Sequence, residues 1–309
     1  MSIRSIGNPT VRFKTVWDRT GKEAKYVAPP PDNVDATGGV KFTSGDYTYH
    51  FFLSPGTFSV STSANESDIK YVIIAGGGGG GHQSYQRSGG GGAGGYRYST
   101  GYAITDNTDY PIVVGGGSLL SAGENSSAFG QTSSGGGYAG GGSFGDEGGD
   151  GGSGGGGGGP DGYPGYGGGA GSGNSPPVSP SQGNPGGPAG ANTNASPGAG
   201  GGGLGSHAGP ASTSSYGGHG EHPMEDVFPY PIIQQSIPAP LQSNWLDVVT
   251  GPSPEYASPQ DPGTAELCRG GNGKPGPSDP ATIDYAGYGG HGQSTGGSGI
   301  VMIRYPTLS

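Results

Sequence analysis

Runs of glycine that begin directly behind strand-like segments place the strongest constraint on this chain. Residues 76–81 are all glycine and follow the apolar segment IKYVIIA at 69–75. Glycine loses more backbone entropy on folding than any other residue, so an ordered run must hydrogen-bond its amides to neighbouring segments that pack too closely for a Cβ atom. Extended threefold polyglycine helices that lie side by side meet this requirement. The sequence therefore predicts a packed layer of polyglycine II helices.

The same pattern recurs along the chain, at 89–92, 115–117, 135–137, 140–142, 154–159, 167–169 and 200–203. No Gly-X-Y period persists, which excludes a collagen triple helix. A flexible linker is the alternative, because chains rich in glycine and serine are random coils in water. The start of these runs directly after strands, and short interleaved loops such as 82–88, favour ordered structure.

Strand-like segments flank the glycine runs. Alternating apolar residues at 40–42, β-forming residues at 47–53 and the turn residues between them predict an antiparallel meander. The segment 69–75 is apolar on both faces and is predicted to be the central strand, and 300–305 supplies the last strand. With 75 Gly and 28 Pro in 309 residues, the predicted fold class is mainly β. It is an antiparallel β-sandwich framework with a layer of polyglycine II helices, long Pro- and Gly-rich loops and almost no α-helix.

Composition divides the chain into two parts. Residues 1–38 carry much of the positive charge and are interpreted as an N-terminal docking arm; an N-terminal strand or a frayed lead-in is the alternative. The candidate docking side chains are Arg12, Phe13, Trp17 and Arg19. Residues 39–309 form the glycine-rich domain, with an insertion at about 204–288 that is bulkier and rich in proline. Its proline density argues against regular helix and predicts a long, locally packed loop module.

Charge and cysteine content exclude several classes of function. No Lys or Arg occurs from Tyr98 to Cys268, and the net charge is -10, so we expect no nucleic-acid partner. Cys268 is the single cysteine, so neither an intrachain disulfide nor a cysteine-based zinc site can form within one chain. The apolar runs are too short for a membrane span and the first residues lack a signal-peptide core. We therefore expect a product of the cytoplasm that does not insert into membranes.

Motifs for catalysis or cofactor binding are weak. The glycines at 76, 78 and 81 match a dinucleotide-binding pattern, but no amphipathic helix and no acidic residue follow at the required places. His219 and His222 lie among carboxylates and are weak candidates for metal ligands, whereas a solvated polar loop is the alternative. No nucleophile with a positioned base is recognisable. We expect no enzyme, no cofactor and no metal.

Aromatic side chains in the loops carry more information about function. Tyrosine and tryptophan offer a large contact area with a polar tip at low entropic cost, which suits recognition of sugars or proteins. The alternative is that these rings seal the flanks of the glycine layer. The candidate receptor-binding residues are Tyr85, Tyr163, Tyr166, Phe228, Tyr230 and Trp245.

The order of motifs resembles a known family. IKYVIIAGGGGGG is followed by GGGGAGGYR, YPIVVGGG, NSSAFG with a glycine run, and finally GGSGIVMIRYP. This succession is similar to the glycine-rich domain of bacteriophage tail and fibre proteins. Similar layers occur in the adhesins of T-even-like phage long tail fibres and in the anaplastic lymphoma kinase group of receptors. The chain departs from the receptor group in having no disulfide cysteines and no membrane span. It departs from the adhesins in its strand meander and its insertion.

The resemblance implies a function in virus attachment. We expect a non-enzymatic bacteriophage virion protein, a tail-fibre or tail-tip component assembled in the host cytoplasm. Its expected partners are other tail proteins, bound through the arm, and a host surface glycan or outer-membrane protein. By analogy with phage fibres we expect a homo-oligomer, a trimer. The alternatives are a capsid decoration or tail-assembly protein without receptor contact, and an enzyme that acts on host glycans.

Overall fold

A computed structural model gives the architecture of the chain. The residues it describes are 16–17, 23–24, 33–64, 68–81, 88–141, 146–159, 167–190, 198–208, 217–250, 267–273, 283–292 and 294–307. The chain divides into two units, Met1–Asp32 and Asn33–Ser309. In the first unit, strands β1 (Val16–Trp17) and β2 (Glu23–Ala24) pair antiparallel. The predicted docking residues Arg12, Phe13 and Arg19, and the side chain of Trp17, lie outside the described part.

The second unit is built on two antiparallel sheets and a hairpin. The five-stranded sheet has the order β4-β5-β12-β7-β8, the three-stranded sheet the order β3-β6-β9, and β10 pairs with β11. The strands are β3 (Asp35–Thr37), β4 (Val40–Ser44), β5 (Tyr47–Phe52), β6 (Gly56–Thr62), β7 (Lys70–Ile74), β8 (Tyr96–Ser99), β9 (Thr108–Ile112), β10 (Ser126–Ala128), β11 (Gln131–Ser133) and β12 (Ile300–Pro306).

The last strand of the chain, rather than 69–75, occupies the centre of the five-stranded sheet. Met302 of β12 lies opposite Phe51 of β5 on one side and Val72 of β7 on the other. Both β7 and β12 are almost entirely buried, so their apolar patterns are equally strong. The pattern identifies strands covered on both faces, but it does not give their order in the sheet.

Alternate residues of the five-stranded sheet contribute to two separate cores. One face packs on the three-stranded sheet and buries Phe58, Tyr71 and Ile303. The opposite face buries Phe51 and Met302 beneath the insertion. The first core makes a β-sandwich, so the predicted fold class is confirmed as mainly β with little helix.

The glycine runs form threefold helices that hydrogen-bond to each other. Successive amides of 76–81 donate in turn to three different segments, 121–124, 294–297 and 89–92, and the direction repeats every third residue. Gly76 and Gly79 donate to the carbonyls of Glu124 and Ser121, respectively. Gly77 and Gly80 donate to Gly297 and Ser294. Gly78 and Gly81 donate to Gly92 and Gly89. A period of three residues without internal bonds is the geometry of polyglycine II.

Neighbouring runs repeat this bonding, so the helices form a lattice. In the run 89–95, residues 89, 92 and 95 donate to 134–140, and 91 and 94 donate to 287–290. The run 152–158 bonds in the same way to 90–93 and to 184–187. The backbone groups of the central runs are therefore satisfied by other runs, as buried amides require.

The insertion contains regular helix, contrary to the sequence prediction. Helix α1 spans Tyr230–Gln234, a 3-10 turn spans Ala239–Leu241 and helix α2 spans Gln242–Thr250. Pro231 lies in the first turn of α1, where a missing N–H breaks no helix hydrogen bond, and α2 contains no proline. The spacing of the prolines therefore limits helix length but does not prevent helix formation. No helix in the described part of the chain is long and apolar enough to cross a membrane.

Arg304 of β12 anchors the insertion to the sheet. Its Nη1 donates a hydrogen bond of 3.1 Å to the carbonyl of Val227, and its guanidinium lies 3.9 Å from the ring centre of Tyr47. Arg304 is buried, so both interactions are shielded from water. They couple the central strand to the chain just before α1.

We expect Arg304→Met to loosen this cover without unfolding the sheet. The variant keeps the apolar stem but leaves the Val227 carbonyl unpaired and removes the cation–π contact, at a cost of about 2 kcal/mol. Hydrogen exchange should rise in 224–250 more than in β7. The exposed Lys41→Met serves as the control. Equal protection of 224–250 in Arg304→Met and in the wild type would contradict an anchoring role.

Candidate functional site: the connection edge of the glycine layer

One edge of the glycine layer, remote from the sheet, gathers the ends of many threefold helices. Gly81 donates to the Gly89 carbonyl at 3.2 Å, Gly89 to Gly140 at 3.0 Å and Gly140 to Gly156 at 2.8 Å. The ends of four runs therefore lie side by side, seven residues beyond the end of β7 at Ile74.

Further runs end at the same level. Gly158 donates to Asp146, Gly168 to Gly158 and Ala189 to Gly168, each at 2.9 Å. We call this border the connection edge; its residues are 81, 88, 118–121, 141, 146, 158–159, 167–168, 189–190, 198 and 294. In the sequence, 82–87, 142–145, 160–166 and 191–197 each connect two described residues of this edge.

Three of the predicted receptor-binding residues belong to these joining segments. Tyr85 is in 82–87, and Tyr163 and Tyr166 are in 160–166. All three lie outside the described residues, so their role stays a prediction. The residues that flank both segments are at the connection edge.

The other three predicted receptor-binding residues lie in the interior. Phe228, Tyr230 and Trp245 are 0%, 7% and 2% exposed, and they pack with the second face of the five-stranded sheet. Phe228 makes edge-to-face contacts with Tyr49 and Phe51. No ring surface is left there for a receptor. These three aromatic residues belong to a second core, because the apolar face of the sheet needs a cover.

His222 is fully engaged inside the protein. Its Nε2 donates to the Phe228 carbonyl at 2.8 Å, and its Nδ1 accepts from the Tyr96 hydroxyl at 2.9 Å. Burial lowers the pKa of His222 to about 4, against the opposing effects of this carbonyl and of Asp226. Neither ring nitrogen is open to a metal. Among the described residues no group of three or more His, Cys, Asp or Glu side chains could hold a metal ion, and His219 joins no such group.

Two exposed leucines occupy the described turn of the connection edge. Leu119 and Leu120 are 41% and 51% exposed. The turn is closed by Ser118, whose hydroxyl accepts from the Ser121 amide at 3.2 Å and bonds to the Ser121 hydroxyl at 2.5 Å. Sequence reasoning missed these leucines, because the signal, two adjacent apolar residues between glycine runs, also fits a strand.

The described part of the connection edge carries an exposed carboxylate as well as the two leucines. Asp146 belongs to the edge and is exposed, and the exposed Glu147 follows it. Glu124 and Asp150 are also exposed but lie outside the edge. The joining segment 82–87 contains Arg87, so the edge and its joining segments together contain both signs of charge.

Comparison with known proteins identifies one family. A family model described as a glycine-rich domain matches residues 53–306. No match was found among the curated proteins. The matched residues include β7, β12, the described threefold lattice and the insertion.

Proposed function

Because the chain belongs to the glycine-rich domain family, we propose that it is a non-enzymatic bacteriophage virion protein. In this proposal it is a tail-fibre or tail-tip component that attaches the particle to the host cell surface through the connection edge. The observation that carries the proposal is the collection of run ends at one border of a hydrogen-bonded backbone lattice.

A lattice of this kind suits display of variable loops. Each run is fixed by hydrogen bonds to several neighbours, as in the bonds of Gly91 to the Gly290 carbonyl and of Gly271 to the Gly91 carbonyl, both 2.8 Å. Loops on a rigid scaffold can change in sequence without disturbing the fold, which is the usual arrangement of binding sites. The segments 82–87 and 160–166, which contain Tyr85, Tyr163 and Tyr166, would supply the contacts.

The remaining parts of the proposal concern assembly. Residues 1–38 dock on other tail proteins, with Arg12, Phe13, Trp17 and Arg19 as the contacting side chains. The host partner is a surface glycan or an outer-membrane protein. The protein acts as a homo-oligomer, a trimer by analogy with phage fibres. A monomeric mass in light scattering would remove this last element.

Adsorption competition tests the attachment role. Purified protein should block adsorption of the parent phage. Tyr163→Ala with Tyr166→Ala should reduce this block roughly thirtyfold, because each Tyr at a binding site contributes roughly 1 kcal/mol and the two together roughly 2 kcal/mol. Leu241→Ala, an exposed side chain on the insertion, is the matched control and should compete like the wild type.

The alternative function gives different results. A capsid decoration or tail-assembly protein would show no competition, and antibodies against the folded protein would label heads or the tail shaft in electron microscopy. Label at the fibre tips together with competition would support attachment. If the wild type and the tyrosine variant compete equally well, Tyr163 and Tyr166 do not contact the receptor.

A further inference from the structure

Among the aromatic residues that the structure describes, Tyr138 has the ring most open to solvent. It is 45% exposed and lies within the glycine layer rather than at a strand. The ring packs against glycine backbone, at Gly149, instead of against apolar side chains of a core. Neither the sequence candidates nor the connection edge includes it.

The ring of Tyr138 lies flat against a glycine backbone. A Cβ atom placed on Gly149 would come within 2.4 Å of the ring atoms Cδ1 and Cε1, so the ring occupies the space that a side chain would need. The Tyr138 carbonyl accepts from the Gly149 amide at 2.8 Å, and the flanking amides of Gly137 and Ala139 donate to Ser153 and Gly79. The Gly149 backbone thus packs against the ring, and hydrogen bonds fix the backbone of Tyr138 and of both its neighbours in the chain.

The neighbouring runs provide a flat floor with acidic groups. Glu147 and Asp150 lie within two residues of Gly149 and are exposed. The Glu147 side chain lies against the neighbouring run, since its Cγ is 3.6 Å from the position that a Cβ on Gly169 would take. Asp150 is oriented by the amide of Ser172, which donates to its Oδ1 at 2.6 Å. Its second carboxylate oxygen remains available as an acceptor. We call the surface formed by Tyr138, 147–150 and Ser172 the Tyr138 face.

We propose that the Tyr138 face binds a hexopyranose ring of a neutral or amino sugar. The apolar face of a pyranose stacks on an aromatic ring, and its hydroxyl groups donate to fixed carboxylates. The glycine floor lets a flat ligand approach closely, and the ordered ring loses little freedom on binding. Because Glu147 and Asp150 are the charged residues of the face and the face itself contains no Lys or Arg, uronic and sialic acids are disfavoured.

This inference names a ligand class for the attachment role and in that sense rests on the proposed function, but it uses a different surface from the connection edge. The experiment is a titration of the full chain, followed by NMR. The probes are oligosaccharides of glucose, galactose, N-acetylglucosamine and glucosamine, with oligogalacturonate as the anionic comparison. We expect saturable binding of at least one neutral or amino sugar and weaker binding of oligogalacturonate.

Variants assign the binding to the ring. Tyr138→Ala should weaken it about tenfold, the loss expected for one aromatic contact, whereas Tyr138→Trp should retain it. Asp150→Asn keeps the acceptor for Ser172 but removes the charge, and should weaken glucosamine binding more than glucose binding. Leu241→Ala, which removes a side chain that is 45% exposed like Tyr138 but lies on the insertion, should bind like the wild type. Unchanged thermal unfolding serves as the folding check.

The outcomes separate this inference from the proposed function. Binding of no neutral or amino sugar, binding undiminished in Tyr138→Ala, or tighter binding of oligogalacturonate would each overturn the inference. If wild-type protein competes for adsorption and Tyr138→Ala competes equally well, attachment stands and the Tyr138 face falls. If sugar binding depends on Tyr138 but the wild type does not compete, attachment falls and the sugar site stands.

Discussion

Gly91→Ala is expected to abolish stable folding of the glycine layer. A Cβ atom at this position would lie 2.1 Å from the carbonyl oxygen of Gly78, far inside contact distance. The obstacle is backbone, so no side-chain rotation relieves it. Gly91 also donates to Gly290 and accepts from Gly271, both at 2.8 Å. A shift of this run would therefore break bonds on two sides.

The expected loss exceeds the usual cost of overpacking a core, which is about 1–3 kcal/mol. Domains are stable by only about 5–15 kcal/mol, so we expect Gly91→Ala to give little soluble protein or a free energy of unfolding lower by at least about 3 kcal/mol. Urea unfolding followed by circular dichroism and by tryptophan fluorescence, to which the buried Trp245 contributes, measures this change.

Gly116→Ala is the matched control in the same layer. The nearest atom to its added Cβ is Oε2 of Glu124 at 3.4 Å, the end of a flexible side chain. We expect a change within about 0.5 kcal/mol, because the substitution meets no backbone and reduces the freedom of the unfolded chain. Similar losses in both variants would mean that glycine is needed for its flexibility and not for close packing.

The glycine layer could be predicted from the sequence because few structures satisfy the backbone hydrogen bonds of an ordered glycine run. A run such as 76–81 has no side chains, so its order depends on backbone bonds alone, and threefold packing supplies them. The helices of the insertion were not predicted, because the number of prolines does not show whether each one lies in the first turn of a helix, where it is tolerated, or in its interior. The central place of β12 depends on pairing between distant segments, which apolar pattern does not encode.

The candidate site was predicted less well, because the sequence does not show which aromatic rings are exposed to solvent. The rings of Phe228 and Trp245 and the ring of Tyr138 look alike in the sequence, but the first two cover a sheet and the third lies on glycine. Only the packing of the lattice decides which ring faces water. Sequence identifies aromatic residues with the capacity to bind, whereas the fold selects among them.

Two buried histidine–tyrosine pairs, one on each face of the five-stranded sheet, should make stability depend on pH. His50 Nδ1 donates to the Gly38 carbonyl at 2.8 Å, and its Nε2 accepts from the Tyr305 hydroxyl at 2.9 Å. His222 is bonded in the same manner to the Phe228 carbonyl and to Tyr96. Each ring is held neutral, since one nitrogen must accept a hydrogen bond.

Burial is the main reason that the pKa of His50 is lowered to about 4, and Lys41 lowers it further. The pKa of His222 is also about 4, whereas both histidines titrate near 6.5 in the unfolded chain. Between these values the unfolded state binds more protons. Stability is therefore complete above about pH 6.5 and falls as the pH drops towards 4, by up to about 3 kcal/mol for each histidine.

Urea unfolding at pH 7.5, 6.0, 5.0 and 4.5 measures this loss, and substitutions assign it. In His222→Gln the amide still donates to the Phe228 carbonyl and accepts from Tyr96 but does not titrate, so we expect a shallower pH dependence, by about half. His50→Gln should act similarly on the other core. His207→Gln, at an exposed position, should leave the curve unchanged. If His222→Gln retains the full loss between pH 6.5 and 4.5, protonation of His222 does not cause that loss.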